Sequence, residues 1–295
     1  MTFRTSRWAF SVLTCAFFLA LASEPAFAAG TLDRVGPVSA GPTNNSFPGK
    51  VIWVDLVTGD VKKAAAFYHN VFGWDIRYGR DGSFVRASYQ GSPLATLSRY
   101  EEGEAPEGEA RWLISISVAD IDAAAPAATK SGGEVLEGPA DLPDRGRYAL
   151  VSDPQGALLM LLEANGGDPA DEAPSDNSWL WAELWTDNPA SSALFYKSVI
   201  GYKSKTFKDA SGDKIVVFAH GNVARASMVK TPWDGVEPNW LPYMQVADVT
   251  ATARQVLEHG GEIVIAPLVD SDGSRVAVVV DPTGGVFAIQ ERGDK

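Results

Sequence analysis

Cysteine and histidine are nearly absent from this chain of 295 residues. The single cysteine is Cys15 and the three histidines are His69, His220 and His259, too few for a disulfide framework or for most zinc arrangements. Basic residues are in deficit as well. Against 37 Asp and Glu stand 25 Lys and Arg, a formal net charge of -12 at pH 7 that repels phosphate backbones and anionic lipid, so nucleic acid is not expected as a partner. There is no Gly-x-Ser-x-Gly elbow, no phosphate-binding Gly-rich loop, no cysteine nucleophile and no histidine to form a triad. What the chain does have is an apolar share of 45% and a length that suits two domains with sizeable cores.

The N-terminus carries a targeting pattern. Arg4 and Arg7 precede an apolar run from Trp8 to Ala22, Ser23-Glu24-Pro25 breaks it, and Ala26-Phe27-Ala28 forms a small-x-small cleavage site. The run is shorter than the roughly 20 residues of a membrane-spanning helix and no second one follows. Residues 1–28 therefore read as a secretory signal peptide, and the mature chain as secreted or periplasmic with no membrane association after cleavage. Cys15 has a second reading as a lipoprotein acylation site, to which Val12-Leu13-Thr14 is a poor approach. A mature chain without cysteine suits an oxidising compartment.

Self-similarity sets the architecture. Trp53 and Trp181, Phe67-Tyr68 and Phe195-Tyr196, Trp112 and Trp240, Arg147 and Arg275, Asp153-Pro154 and Asp281-Pro282, and Glu163 and Glu291 all stand 128 positions apart. A fainter period of 60 relates Asp60 to Asp120 and Asn188 to Asp248, implying four modules. Each opens with an alternating stretch such as Val51 to Leu56, then an Asp or Asn at a helix cap, then an Ala-rich helix ending near Gly, then extended segments. Composition predicts a flexible leader over 29–49, domain 1 over 50–164, an acidic linker over 165–177 and domain 2 over 178–292.

The Asp, Phe-Tyr and Phe-Gly-Trp run of residues 60–74, Val-Ala-Asp-Ile of 118–121 and Asp-Pro-x-Gly of 153–156 resemble the vicinal oxygen chelate superfamily, which spans glyoxalase I, bleomycin resistance proteins and extradiol dioxygenases. The resemblance implies an α+β fold of four βαβββ modules, forming two tandem glyoxalase-like domains whose mixed sheets curl around cavities. It also implies where a divalent ion would be held. The opening slots are occupied by Trp53, Trp181, Leu113 and Leu241, and the closing slots by Met160 and Ala288, none of which offers an oxygen or imidazole ligand. His69, His220 and His259 read as surface or capping residues. No cofactor is expected, and no divalent metal.

Strand alternation places Asp55 on the same face as Trp53, and Glu183 and Trp185 on the same face as Trp181. The corresponding positions of the other opening strands are Ser115 and Ser117, and Tyr243 and Gln245. If the domains pair as the family's resistance dimers do, Asp55 shares a cavity with Tyr243 and Gln245, and Glu183 lies near Ser115 and Ser117. The candidate ligand-binding set is thus Trp53, Asp55, Leu113, Ser115, Met160, Trp181, Glu183, Trp185, Leu241, Tyr243, Gln245 and Ala288, with Asp55 and Glu183 as candidate catalytic carboxylates. The reading is metal-free binding of an apolar or cationic small molecule in a Trp-lined cavity. One alternative is a lyase, dioxygenase-type or acid/base enzyme using Asp55 and Glu183. Another is a structural or partner-binding module with a collapsed cavity, its carboxylates capping backbone amides or pairing with Arg147 or Arg275. A monomer and a homodimer are both open. The acids Glu101, Glu102, Glu104, Glu107 and Glu109 read as a solvated loop.

Overall fold

The computed structural model describes residues 36–80, 82–100, 110–208, 212–269 and 273–292. The signal segment with Cys15, and the acidic segment Glu101 to Glu109, lie outside the described residues.

The first half runs β1 (Val51–Thr58), α1 (Val61–Phe72), β2 (Asp75–Tyr78), β3 (Phe84–Tyr89) and β4 (Ser92–Arg99). It continues with β5 (Arg111–Ser117), α2 (Ile121–Lys130), β6 (Glu134–Leu142), β7 (Gly146–Ser152) and β8 (Leu158–Ala164). The second half repeats this order: β9 (Trp179–Thr186), α3 (Pro189–Ile200), β10 (Lys203–Lys208), β11 (Lys214–His220), β12 (Val223–Lys230). Then come β13 (Asn239–Val246), α4 (Val249–Glu258), β14 (Glu262–Val269), β15 (Arg275–Val280) and β16 (Val286–Glu291).

Each helix starts where the sequence offers a short polar side chain to an orphan backbone N–H. Asp60 accepts from Lys63, Asp120 from Ala123, Asn188 from Ser191 and Asp248 from Ala251. Helices α1 and α3 stop at Gly73 and Gly201, whose φ of 69° and 82° is the left-handed geometry that glycine adopts without a Cβ penalty.

The strands form two eight-stranded mixed sheets of identical topology, β2-β3-β4-β1-β5-β8-β7-β6 and β10-β11-β12-β9-β13-β16-β15-β14, both open at their edges. In each, the two modules of one half join through an antiparallel central pair, β1 with β5 and β9 with β13. Alternation along β1 and β9 then separates two faces. Val54, Leu56, Ala182 and Leu184 point to the helices and enter one continuous apolar cluster shared by both halves. Within it α1 packs on α4 and α2 on α3. Trp53, Asp55, Trp181, Glu183 and Trp185 project from the opposite faces.

Among the polar contacts that tie the halves, two Tyr–Asp crossings are equivalent. Tyr68 donates to Asp281 Oδ2 at 2.8 Å and accepts from Trp112 Nε1 at 3.1 Å. Tyr196 donates to Asp153 Oδ2 at 3.1 Å and accepts from Trp240 Nε1 at 2.9 Å. Burial raises the carboxyls of Asp153 and Asp281 above the usual aspartate range, and raises both tyrosines well above theirs.

The leader from Gly36 onward departs from the flexible tail expected of its composition. Thr43 and Asn44 N–H groups donate to the Gly166 carbonyl, and Asp168 accepts from Phe47 N–H and Ser117 Oγ, so leader and linker satisfy each other's backbone groups. Val38 is buried on the outer face of the first sheet. In the linker, Asp171 bonds both Lys50 and Arg225. Among the described residues no helix is long and apolar enough to cross a membrane.

Candidate functional site

The predicted site residues fall into two separate groups, one per half. Backbone register sets Trp53 opposite Ser115, Ser115 opposite Met160, and Asp55 opposite both Leu113 and Thr96. In the second half Trp181 faces Tyr243, Tyr243 faces Ala288, and Glu183 faces Leu241 and Ser227. Asp55 therefore does not share a cavity with Tyr243 and Gln245, nor Glu183 with Ser115 and Ser117. The central strand ladder forms within each half, and a carboxylate meets the partners of its own sheet.

The first group is closed. Asp55 and Arg145 are both 0% exposed, and Arg145 Nη1 bonds Asp55 Oδ1 and Oδ2 at 3.0 and 2.9 Å while Nη2 bonds Thr96 Oγ1 at 2.9 Å. Trp53 Nε1 completes the knot, 3.1 Å from Asp55 Oδ1 and 3.2 Å from Thr96 Oγ1. The Arg145 and Arg86 guanidinium carbons lie 5.1 and 5.0 Å from the Trp53 ring centroid. Burial, and then the charge of Arg145, lowers the Arg86 pKa from its ordinary value. Leu113 and Met160 share one buried cluster with Val38, Leu142 and Tyr148, and Ser115 is buried as well. The arginine that holds Asp55 is thus Arg145, from the turn before β7. Arg147 pairs with Asp122 and Asp141, and Arg275 with Glu291.

The second group is open. Glu183 is half-buried, and its Oε1 accepts from Tyr243 OH at 2.9 Å and Trp185 Nε1 at 3.1 Å. Its Oε2 accepts at 2.9 Å from Ser227, which itself accepts from Trp181 Nε1 at 2.8 Å. Around this carboxylate lies a cavity of about 1010 Å³, with Glu183, Trp185, Tyr243, Ile265, Val276 and Val278 in its walls. Trp233 packs edge-on against Trp185, ring centroids 6.4 Å apart, and Leu268 lines the wall while 45% exposed. Leu241 and Ala288 are buried apolar backing. Gln245 turns away from the carboxylate to bond Asp176 at 2.8 Å.

Arg145 is the residue that sequence reasoning passed over. A signal was available: 128 positions on, where Arg147 is matched by Arg275, Arg145 is matched by Gly273. Trp112 and Trp240, equally prominent in the repeat, are core residues that hold Tyr68 and Tyr196.

Among the described residues, neither group suits a divalent ion. The first presents one carboxylate already bidentate to arginine, and the second one carboxylate among a tyrosine, a serine and indoles, short of about three hard ligands. Among the described residues no three His, Cys, Asp or Glu side chains converge. His69 Nδ1 pairs with the Trp74 carbonyl, His220 closes β11 and His259 caps α4.

Comparison with known proteins is consistent with this fold. Residues 50–161 match the family model of the Glyoxalase/Bleomycin resistance protein/Dioxygenase superfamily. The chain is 32% identical over 242 residues to the "Putative glyoxylase CFP32" of Mycobacterium tuberculosis, covering 80% of this chain and 92% of that protein. It is 29% identical over 259 residues to the anthracycline biosynthesis protein DauV of Streptomyces sp. strain C5, covering 83% and 94%. Among solved structures, the Mn(II)-bound glyoxalase from Novosphingobium aromaticivorans shares the fold at a TM-score of 0.60 and 18% identity, with 84% of each chain covered. The chain belongs to the Glyoxalase/Bleomycin resistance protein/Dioxygenase superfamily.

Proposed function

We propose that this is an exported protein that binds a small organic molecule, apolar or cationic, in the cavity of its second half and without a metal ion. The observation that carries the reading is the difference between equivalent faces. Where Trp53, Asp55 and Arg145 fill the first, a cavity of about 1010 Å³ reaches Glu183 in the second. Its size and its mix of aromatic and aliphatic wall with a few convergent polar groups are those of a small-molecule site. The sealed first half is a structural copy that supports the second through the shared core. A screen of apolar and cationic compounds by thermal shift and tryptophan emission tests this. Binders are expected to raise the melting temperature and alter the emission of Trp185, and failure of every compound on both signals overturns the reading. Metal analysis of the purified protein is expected to give well below about one ion per chain, given the ligands a site requires.

A second reading is supported by one contact. The 2.9 Å hydrogen bond between Tyr243 and Glu183 puts an acid and a base side by side in the cavity, as a metal-free acid/base enzyme would need. The name of the mycobacterial relative is that of an enzyme. Turnover of a carbonyl substrate that is lost in both Glu183→Gln and Tyr243→Phe would favour it over simple binding.

A further inference from the structure

The face that carries Trp53 in the first half and the face that carries Trp185 in the second differ in what lies over them. Ten buried apolar residues cluster on the first, and nine of them belong to strands of the sheet. The tenth is Val38 of the leader, 2% exposed. Its neighbours are held there too. The Pro37 carbonyl accepts from Arg86 Nη2, and Gly36, at a φ of 72°, lies so close to that guanidinium that an added Cβ would fall 2.5 Å from Nη1. Residues 36–38 thus form a strap across the face. Behind it Ala40 to Pro42 are exposed, with open space around Gly41, before Thr43 and Asn44 anchor the leader on the Gly166 carbonyl. Among the described residues no strap lies over the second cavity. Register sets Arg86 opposite Thr96 and Val217 opposite Ser227, so an aliphatic side chain replaces the donor. The position 128 after Val38 is Gly166, whose carbonyl is spent on the leader, and no linker residue lines the cavity.

We infer that the first half holds a latent binding site that the strap occupies as a resident ligand, and that the site takes a short, extended apolar peptide. What the strap presents defines the chemistry. A backbone carbonyl accepts from a guanidinium N–H, a stronger bond than one between neutral groups, and a branched apolar side chain leaves water for an apolar wall. The described hold on residues 36–38 is that one bond and that one side chain, which a ligand of the same make-up replaces in kind. Strap and ligand compete for one place, so the apparent affinity follows the fraction of molecules whose strap is withdrawn. Arg145 takes no part in the exchange, because it stays beneath, bound to Asp55 and Thr96.

The test is fluorescence anisotropy of the full-length protein with a dye-labelled peptide amide, Gly-Pro-Val-Ser-Ala, the sequence of the strap itself. Val38→Asp ejects the strap, since a carboxylate is not tolerated in an apolar cluster. That variant is expected to bind the peptide at least about tenfold more tightly than the wild type, whose own strap competes. Adding Arg86→Met to Val38→Asp is expected to weaken the peptide by about tenfold again. A peptide with aspartate in place of its valine is expected to bind none of these proteins. Should Val38→Asp fail to fold, Gly36→Val releases the strap instead, because a φ of 72° is closed to a branched side chain. Equal affinity for the wild type and the strap variants overturns the inference. So does the absence of binding to a strap variant that unfolds as cooperatively as the wild type. Peptide binding that Arg86→Met leaves unchanged overturns it as well. None of these outcomes bears on the second-half cavity, whose ligand screen stands or fails separately.

Discussion

Asp55 and Glu183 are equivalent carboxylates with different fates, and a single turn residue separates them. Arg145 leaves Asp55 fully neutralised inside the first sheet, whereas the second half keeps its carboxylate at a cavity wall. A buried pair of this kind is costly to break from one side, because the surviving charge has no water to turn to. Arg145→Met is expected to lose about 3–5 kcal/mol of stability in urea unfolding, and Asp55→Leu combined with Arg145→Met to recover most of that loss. A double variant as unstable as the single one would show that the pair contributes through shape rather than charge. Alternation along β1 and β9 was enough to name Asp55, Glu183 and their Trp neighbours from the sequence. Alternation could not reach the partner of Asp55, since Arg145 lies 90 positions away in a turn, and its only mark in the sequence is the break in the repeat at Gly273.

At the scale of elements, helix starts were readable because a cap is a local bond between residues three apart. Which strands pair was not. β1, β5, β9 and β13 are alike in pattern, and alternation fixes the face of a strand but not its neighbour. The leader was misjudged for a related reason: Gly, Pro and Ser describe backbone freedom, while its order comes from contacts with the linker more than a hundred residues later. Asp168→Ala removes an acceptor shared by Phe47 N–H and Ser117 Oγ, and is expected to cost about 1–3 kcal/mol. Hydrogen exchange should localise the effect to residues 43–50 and the end of β5. Uniform exchange across the molecule, unchanged by the substitution, would contradict a stitched leader.

For the molecule as a whole, the Tyr–Asp crossings and the single apolar cluster make the halves one cooperative unit. Tyr68→Phe leaves Asp281 short of a donor and Trp112 short of an acceptor, and is expected to lower stability by about 1–3 kcal/mol while keeping one unfolding transition. Two resolved transitions in calorimetry would show that the halves melt independently. The crossings also carry a pH signature. Burial raises the Asp281 carboxyl, so the folded chain holds that proton more tightly than the unfolded one. The stability it contributes is fully present below the usual aspartate value and is lost as pH rises through the raised one. Subtracting the profile of Asp281→Asn from that of the wild type should therefore give a difference that shrinks with rising pH in that window, and a growing difference would refute it.

Each half carries both members of the crossing, a tyrosine on its first helix and an aspartate in the turn before its last strand. Two copies of one half could thus satisfy each other by the same two bonds, related by a twofold axis. The present chain reads as such a symmetric pair fused end to end. Fusion frees the copies from sequence identity, so one could take an arginine into its interior while the other kept a cavity, a division of roles closed to a true homodimer.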